Sequence, residues 1–591
     1  MKKYLPILVI IAVTFGVYFG ALSSGFFRDD FPQITENKWL TSARYIPVIF
    51  TSPPWGYYEG DFVQGASNYY RPMLHIVNMA IYAFAEKEPF GYHLVNVVLH
   101  ILNAVMVYLA ASVVLSSDRE ARPVLADQGQ GGGASGALPL AASLMFALNP
   151  VNVEAVTWVA AVMELFFTLL CLLSFYLYAR SLSSRSGAIS LYALSVFFYA
   201  VALISKETAI FLPLLIIVYD YSASRLSLKS VARYMPYATA TGAFLIARSW
   251  IGGPLNVEHA MTPLQYVLSV AAIAGKYIGK LVFPFDLKLY YAFRPTDAIT
   301  GLLNHEVILA LILAALVLYC LHRTRDRGIV LCVFWILVPL SPAILLIKYI
   351  QGEWVFASRY LYMPSAWFAI LVTLLLKLFL GARGTASRGP SGSLMKAVPV
   401  VIILPLLVFY SVDTVASIKT WKDELSYWKR AVEDAPKSAT AHGSLGVAYA
   451  EAGFYGEAIR EYEQSLALAP DAGGLYMNIG VVYYNLREFD KALPMFQKAV
   501  GLTKNESVRA NMLFAMGKAY YQKGMFAEAA ASFESASSRG ASDDLFNWLG
   551  MAYAGAGSTD KAKEAFNEAV ALNPNNAVAR QNLQKMRDAG R

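Results

Sequence analysis

The sequence predicts an all-α protein in two parts, a polytopic membrane helix bundle followed by a soluble α-solenoid. Of the 591 residues, 57% are hydrophobic and only 15% are charged, whereas a soluble domain has about 25% charged residues. The apolar runs stop near Ser417, and from Ser438 onward the sequence repeats at intervals of roughly 34 residues. We therefore assign residues 1–416 to the membrane part and residues 417–591 to the solenoid.

About eleven apolar segments are predicted to span the membrane, because a spanning helix needs about 20 largely apolar residues. They are 5–22, 92–115, 137–149, 159–179, 188–204, 209–221, 233–250, 304–322, 329–348, 361–380 and 397–415. The segments 137–149 and 209–221 are short, so we expect them to be tilted, broken or extended by flanking residues. Residues 264–283 are apolar but interrupted by Lys276 and Lys280, and we predict an interfacial or re-entrant helix there.

The distribution of charge predicts the topology. Lys2 and Lys3 place the N-terminus in the cytoplasm, and eleven crossings then place the basic clusters of the later loops there as well. These clusters lie near residues 180–185, 225–233, 322–327 and 377–396. The net charge of +8 is thus attributed to cytoplasmic loops and not to nucleic-acid binding. Asp29, Asp30 and the solenoid would lie outside, at a plasma membrane or an endoplasmic reticulum.

The solenoid follows the tetratricopeptide pattern. Its marker positions are Gly446, Gly480, Gly517 and Gly550, then Ala458, Ala492, Ala529 and Ala562, then Tyr462, Phe496, Phe533 and Phe566. The small residues let paired helices approach closely, and we expect the aromatic rings to fill the space between neighbouring pairs. A half repeat around Trp428 and Pro436 precedes four full repeats. Such arrays form curved surfaces that bind peptides or proteins.

Ionisable and aromatic residues recur at the predicted outer ends of the spans. Asp29 and Asp30 follow the first span, and the later ones are Arg71, His75, Glu154, Glu164, Lys206, Glu207, Arg248, Arg359, Tyr360 and Tyr362. A solvated acidic pair and snorkelling cations are the simpler interpretation of each residue taken alone. Together on one membrane face, however, they indicate a site. Four of them, Arg71, Lys206, Arg248 and Arg359, are suited to neutralising a phosphate.

The first outer loop, residues 23–91, is rich in aromatic residues. These include Trp39, Trp55, Tyr57, Tyr58, Tyr69 and Tyr70. Aromatic side chains gather at membrane interfaces, so an interfacial belt is the simpler interpretation. A surface on which a sugar stacks is the alternative. The cysteines, Cys171, Cys320 and Cys332, all lie in apolar spans, so we expect neither disulfides nor a metal cluster.

Taken in order, these motifs resemble the transmembrane and tetratricopeptide repeat-containing O-mannosyltransferase family, within the GT-C-fold glycosyltransferases. The matching motifs are Arg28-Asp29-Asp30, Tyr70-Arg71-Pro72, Pro150 with Glu154-Ala155-Val156, Ser205-Lys206-Glu207, Arg359-Tyr360-Leu361-Tyr362-Met363-Pro364 and the terminal repeats. The chain departs from the family at two positions. Asn149 stands where the family usually has His, and Val162 stands where it usually has Arg.

The resemblance implies an inverting transferase that moves mannose or another hexose from a polyprenyl-phosphate donor to Ser or Thr hydroxyls of an acceptor protein. Asp29 or Asp30 would be the general base, and the four cations would bind the donor phosphate. Substrate contacts are expected from His75, Glu154, Glu164, Glu207, Tyr360 and Tyr362. The chemistry does not require a cofactor or a metal, and a divalent ion stays an open question. The alternatives are a non-enzymatic membrane scaffold and a transferase acting on lipid-linked glycans.

Overall fold

The computed structural model describes residues 4–57, 69–116, 136–184, 186–251, 261–285, 287–291, 304–323, 326–349, 356–384, 392–538, 540 and 542–589. Lys2, Lys3, Tyr58 and part of the basic cluster at 322–327 fall outside these ranges. All regular secondary structure in the described ranges is helical, so the predicted fold class is confirmed. The chain separates into two compact units, Met1–Tyr427 (the membrane unit) and Trp428–Arg591 (the repeat unit). This division lies after Tyr427, whereas the sequence suggested 416.

The membrane unit has a helix at each predicted span within the described ranges. Its helices are α1 Leu5–Tyr18, α2 Ile46–Thr51, α3 Pro72–Ala85, α4 Pro89–Leu115, α5 Ala137–Ala147, α6 Val153–Thr157, α7 Val162–Ser181, α8 Ala188–Leu203, α9 Leu212–Ser222, α10 Val231–Ile251, α11 Pro263–Val282, α12 His305–Arg323, α13 Arg327–Leu345, α14 Tyr362–Gly384 and α15 Gly392–Ile418. Short 3₁₀ turns include Phe19–Ser23, Pro150–Asn152, Val159–Ala161, Glu207–Phe211, Ser358–Leu361 and Lys419–Trp421. Helices α2 and α3 lie inside the predicted outer loop.

Six helical stretches of the described residues are long and apolar enough to cross a membrane. They are Leu5–Ser23, Pro89–Leu115, Val159–Ser181, Arg327–Leu345, Ser358–Leu380 and Ile403–Trp421. A seventh candidate is bent by 48° between α5 and the stretch Pro150–Thr157. The bend follows from Pro150, which lacks a backbone donor, and from Asn149, whose Oδ1 accepts the Val151 N–H at 3.1 Å. This break explains why segment 137–149 looked short in the sequence.

Buried amides of α4 fix the connection between α6 and α7. The Asn96 side chain donates to the carbonyl oxygens of Val156 and Trp158 at 3.2 and 3.1 Å. Two helical turns further along α4, the Asn103 side chain donates to the Leu165 carbonyl oxygen at 2.9 Å. Polar side chains inside a membrane helix bundle hold neighbouring backbones together in this way. They therefore set the position of the segment that carries Glu154 and Glu164.

The interrupted segment 264–283 forms the continuous helix α11, packed tightly on α12. A Cβ atom at Gly275 would lie 2.2 Å from the Glu306 carbonyl oxygen, so only glycine permits this approach. Lys276, one of the two interrupting lysines, pairs with Glu306 at 3.6 Å and lies 4.4 Å from the ring centre of Tyr291. Its charge is thus partnered within the protein.

The repeat unit is a series of antiparallel helix pairs. Its helices are α16 Glu424–Asp434 (which begins in the membrane unit), α17 Ala439–Glu451, α18 Tyr455–Leu468, α19 Gly473–Asn485, α20 Phe489–Leu502, α21 Glu506–Gln522, α22 Phe526–Ser537, α23 Asp543–Gly555, α24 Thr559–Leu572 and α25 Ala577–Ala589. The marker aromatic rings pack against the next pair, as expected (Phe533, for example, packs on Leu549 and Ala552), and they also fill the space within their own pair. A Cβ at Gly480 would lie 2.6 Å from the Phe496 ring, and the other three marker glycines meet their own aromatic partners equally closely.

Candidate functional site

Two cavities in the membrane unit contain nine of the twelve predicted site residues. The first, here called the aspartate cavity, has a volume of about 200 Å³ and includes three of them. Its lining is Phe27, Arg28, Asp29, Glu154, Trp158, Arg359, Trp421 and Tyr427. The second, here called the lysine cavity, has about 280 Å³ and includes six, namely Arg71, Glu164, Lys206, Glu207, Arg248 and Tyr360. The cavities are neighbours, because consecutive residues Arg359 and Tyr360 line one each.

The structure separates the roles of the two aspartates. Asp29 is exposed and lines the aspartate cavity. Asp30 is fully buried, and its two carboxylate oxygens accept the backbone N–H groups of Ala160 at 2.7 Å and Phe27 at 2.9 Å. Burial raises the pKa of Asp30 well above its ordinary value, although both backbone donors oppose this rise. Asp30 thus braces the loop, and its placement as a candidate base is not supported.

Arg359 and Glu154 form an ion pair at the wall of the aspartate cavity. The Glu154 carboxylate accepts a hydrogen bond from the Arg359 guanidinium and a second one, at 3.1 Å, from the Arg359 backbone N–H. Glu154 belongs to the first turn of α6, where a negative charge is favoured by the helix dipole. The guanidinium also lies 4.9 Å from the ring centre of Trp158. These contacts fix the direction of the arginine side chain.

The lysine cavity contains two further ion pairs that are largely buried. Lys206 pairs with Glu164, and their side chains are only 8% and 10% exposed. Arg71 pairs with Glu207 at 2.7 Å. Burial would raise the pKa of Glu207, but the charge and hydrogen bonds of Arg71 hold that pKa below its ordinary value. The carboxylates therefore hold both cations in place beside the cavity.

Arg248, near the end of α10, differs from the other three cations. In the part of the chain that the structure describes, no carboxylate lies within ion-pair distance of its guanidinium. Its positive charge nevertheless contributes to lowering the pKa of Glu207, which lines the same cavity. The rest of the lysine cavity is mostly apolar, and its lining includes Phe167, Ile210, Phe211, Phe244, Pro339, Pro342, Ala343, Leu346, Met363 and Pro364. An anionic group with an apolar chain matches this combination.

Besides Asp30, two predicted site residues lie outside both cavities, which corrects their assignment as substrate contacts. His75 is buried, with its ring nitrogens within 3.2 Å of Asn37 Nδ2 and 2.8 Å of the Pro54 carbonyl oxygen. Tyr362 is buried in the bundle, 2.7 Å from the His100 ring nitrogen Nδ1. Both complete their hydrogen bonds inside the protein, so they serve the core. Sequence position near an outer helix end did not distinguish them from cavity residues.

Most aromatic residues of the first outer loop pack on one another. Trp39 and Tyr57 are buried and form edge contacts with each other and with His75. Tyr69 differs from them, because it lines the lysine cavity and its ring centre lies 4.2 Å from the Arg71 guanidinium. Their clustering makes this loop a small hydrophobic core, and among its described aromatics only Phe27 and Tyr69 line a cavity.

Sequence reasoning missed the aromatic walls of the aspartate cavity. Phe27 lies within 5.7 Å of the ring centre of Trp421 and 4.4 Å of that of Tyr427. Trp421 also stacks on Trp158 at 6.5 Å. Trp158 had a signal, since it follows Glu154 by one helical turn. Trp421 and Tyr427 had none, because they lie where the apolar spans have already ended.

Comparison with known proteins matches both units. The tetratricopeptide repeat family model matches residues 445–507 and 514–577. The chain is 23% identical over 540 residues to the protein O-mannosyl-transferase Tmtc3 of Drosophila melanogaster, covering 80% of this chain and 56% of that protein. It is 23% identical to mouse TMTC3, covering 79% and 52%. The predicted resemblance to this family is therefore confirmed, and the chain spans about half the length of these relatives.

Two solved structures are similar to about a third or less of this chain. The crystal structure of YrrB, a tetratricopeptide repeat protein with an unusual peptide-binding site, is 27% identical and covers 31% of this chain and 90% of YrrB, with a TM-score of 0.25. The crystal structure of MamA is 22% identical and covers 26% of this chain and 82% of MamA, with a TM-score of 0.24.

Proposed function

We propose that this chain is an integral-membrane glycosyltransferase that moves a hexose, mannose above all, from a polyprenyl-phosphate donor to Ser or Thr hydroxyls of proteins. One observation carries the proposal. An exposed carboxylate, Asp29, shares a cavity with Arg359, and this cavity adjoins a second one that combines Arg71, Lys206 and Arg248 with an apolar lining. The relatives named protein O-mannosyl-transferases support the reaction class.

The donor is assigned to the lysine cavity by its chemistry. A polyprenyl phosphate combines an anionic head with an apolar chain, and the cavity offers cations beside aromatic and proline side chains. Arg248 would meet the phosphate most readily, because the other cations are already held by carboxylates. Arg359, at the junction of the cavities, would stabilise the charge that develops on the leaving phosphate.

The reaction follows from this placement. The acceptor hydroxyl oxygen attacks the anomeric carbon while Asp29 takes the hydroxyl proton. The bond between that carbon and the phosphate oxygen breaks, and the lipid phosphate leaves with the electron pair. Attack opposite to the leaving group inverts the anomeric configuration. The repeat unit is proposed to bind the acceptor protein or a partner, as such arrays do.

The orientation in the membrane is part of the proposal. The N-terminus would be cytoplasmic, and the aspartate cavity and repeats extracytoplasmic, because the basic loop clusters then lie inside. Labelling a cysteine substituted for Arg325 with an impermeant reagent tests this orientation. Labelling only after permeabilisation is the expected result, and labelling of intact cells would contradict it.

The function is tested with purified full-length protein, a polyprenyl-phosphate mannose and a Ser/Thr-containing acceptor protein. We expect mass spectrometry to detect one added hexose on Ser or Thr, and the same hexose to disappear from cell proteins when the gene is deleted. Transfer to a lipid-linked glycan only would favour the alternative acceptor. If no donor is consumed with either acceptor, a membrane scaffold with a protein-binding repeat unit becomes the better account.

A further inference from the structure

The backbone just before the proposed base has an unusual conformation. Arg28 has a φ of +48°, in the left-handed region that side chains with a Cβ atom rarely adopt. Non-glycine residues persist in this region only where the surrounding structure holds them, and such positions concentrate at functional sites. The conformation places the exposed Asp29 at the aspartate cavity while the next residue, Asp30, turns into the core.

Contacts from a distant segment hold this loop. The Arg28 N–H donates to the Glu424 carboxylate oxygen Oε1 at 2.8 Å, across 396 residues of sequence. The Gly25 N–H donates to the Lys422 carbonyl oxygen at 3.0 Å. The third bond is local, from the Phe27 N–H to Asp30 at 2.9 Å. Of the two hydrogen bonds to this segment, the one to Glu424 is accepted by a side chain and can be removed by substitution.

The same segment contributes to the cavity itself. Trp421 and Tyr427 line the aspartate cavity and pack against the Phe27 ring. Glu424 lies between them and is the first residue of α16, the helix that leads to the repeats. The segment that follows the last apolar span is thus a structural part of the loop that carries Asp29, within the membrane unit.

We propose that Glu424 is a positioning residue for the transferase, which holds Asp29 in its reactive position through the Arg28 N–H. This inference rests on the proposed function, because it assumes that Asp29 is the base. The contact that carries this role is the hydrogen bond that the Glu424 side chain accepts from the Arg28 N–H. The carboxamide of Gln retains an acceptor oxygen at the same distance from the backbone, whereas Ala retains none.

Three full-length variants test the proposal by steady-state kinetics. E424A should lower kcat by at least about tenfold with the donor KM within about twofold of wild type, because a misplacement of about 1 Å can cost about 100-fold. E424Q should keep kcat within about threefold of wild type. The control is E433A on the same helix, whose side chain is 69% exposed, and its kcat should not change. An E424A enzyme with wild-type kcat, or an E424Q enzyme as slow as E424A, would overturn the proposal.

Amide hydrogen exchange of peptides containing residues 25–30 gives a readout that does not need activity. E424A should speed exchange in this region relative to wild type, and E424Q and E433A should not. If exchange responds in this way but wild-type protein transfers no sugar, the loop is held as described and the proposed function fails. If wild type is active and E424A changes neither exchange nor kcat, the positioning role fails on its own.

Discussion

The repeat unit is held together by contacts between residues that are close in sequence, whereas the membrane unit assembles its site from residues far apart. Gly480 meets the ring of Phe496 within one repeat. Arg71 and Glu207 are separated by 136 residues, and Arg359 and Glu154 by 205. Regular spacing therefore reveals the packing of the repeats directly. In the membrane unit, spacing reveals only which residues are candidates, and the fold decides which of them meet.

The largest effect is expected at Asp29. D29N should lower kcat by about 10²–10⁴-fold, the usual contribution of a general base, without changing the thermal unfolding temperature of the purified protein. The matched variant is D30N, because Asp30 binds two backbone N–H groups that an amide cannot both satisfy. D30N should destabilise the protein by about 1–3 kcal/mol. A D29N enzyme with full activity would remove the distinction between the two aspartates.

A smaller effect is expected at the donor phosphate. R248Q should raise the donor KM by about 10–100-fold, because a hydrogen bond to a charged group is worth about 1.5–3 kcal/mol. The control is R44Q, which removes the same charge from an exposed arginine that lines neither cavity. Steady-state kinetics with a polyprenyl-phosphate mannose measures the donor KM of R248Q and of R44Q. Equal KM values for R248Q and wild type would argue against donor binding in the lysine cavity.

In the repeat unit, a single methyl group should be enough to disturb the packing. G480A places a Cβ 2.6 Å from the Phe496 ring, and overpacking of this kind costs about 1–3 kcal/mol. Gly474 lies in the first turn of the same helix α19 with open space around it, so G474A should not destabilise and can gain about 0.5–1 kcal/mol. Chemical denaturation followed by circular dichroism compares them. Similar losses in both variants would show that helix propensity alone accounts for the change.

The smallest effect is expected at one turn of the repeats. Gly453, Gly524 and Gly557 have φ near +80° at the turn inside their repeats, and Arg487 occupies the equivalent place with φ +60°. R487G should relieve a left-handed conformation that costs about 1–2 kcal/mol, partly offset by the greater chain entropy of glycine, for a net gain of about 0.5–1 kcal/mol. G453A should do the reverse. Denaturation midpoints test the pair, and destabilisation by R487G would contradict this reading.

The sequence predicted the fold class, and the signal that made this possible differs between the units. In the repeats, four copies of one pattern identify each helix pair. In the membrane unit, hydropathy located the helices, and charges at helix ends identified nine residues that line the cavities. Position near a helix end did not separate His75 and Tyr362 from the residues that line the cavities. A buried polar residue whose hydrogen bonds are made by its neighbours looks the same in sequence as one that faces a ligand.

Other features depend on contacts that no local pattern contains. The choice between Asp29 and Asp30 follows from the Ala160 N–H, 130 residues away in the chain. The contribution of Trp421 and Tyr427 to the aspartate cavity depends on how the end of the last span returns to Phe27. Tertiary packing sets both features. Residue spacing therefore predicts neither the different surroundings of the two adjacent carboxylates nor the packing of Trp421 and Tyr427 on Phe27.

The most direct test of the account is an experimental structure of the full chain with a non-hydrolysable polyprenyl-phosphate mannose analogue. We expect the phosphate within hydrogen-bond distance of Arg248 and Arg359, the prenyl chain along the apolar side of the lysine cavity, and the anomeric carbon facing Asp29. A donor analogue bound at another place, with Asp29 facing no part of the sugar, would contradict it.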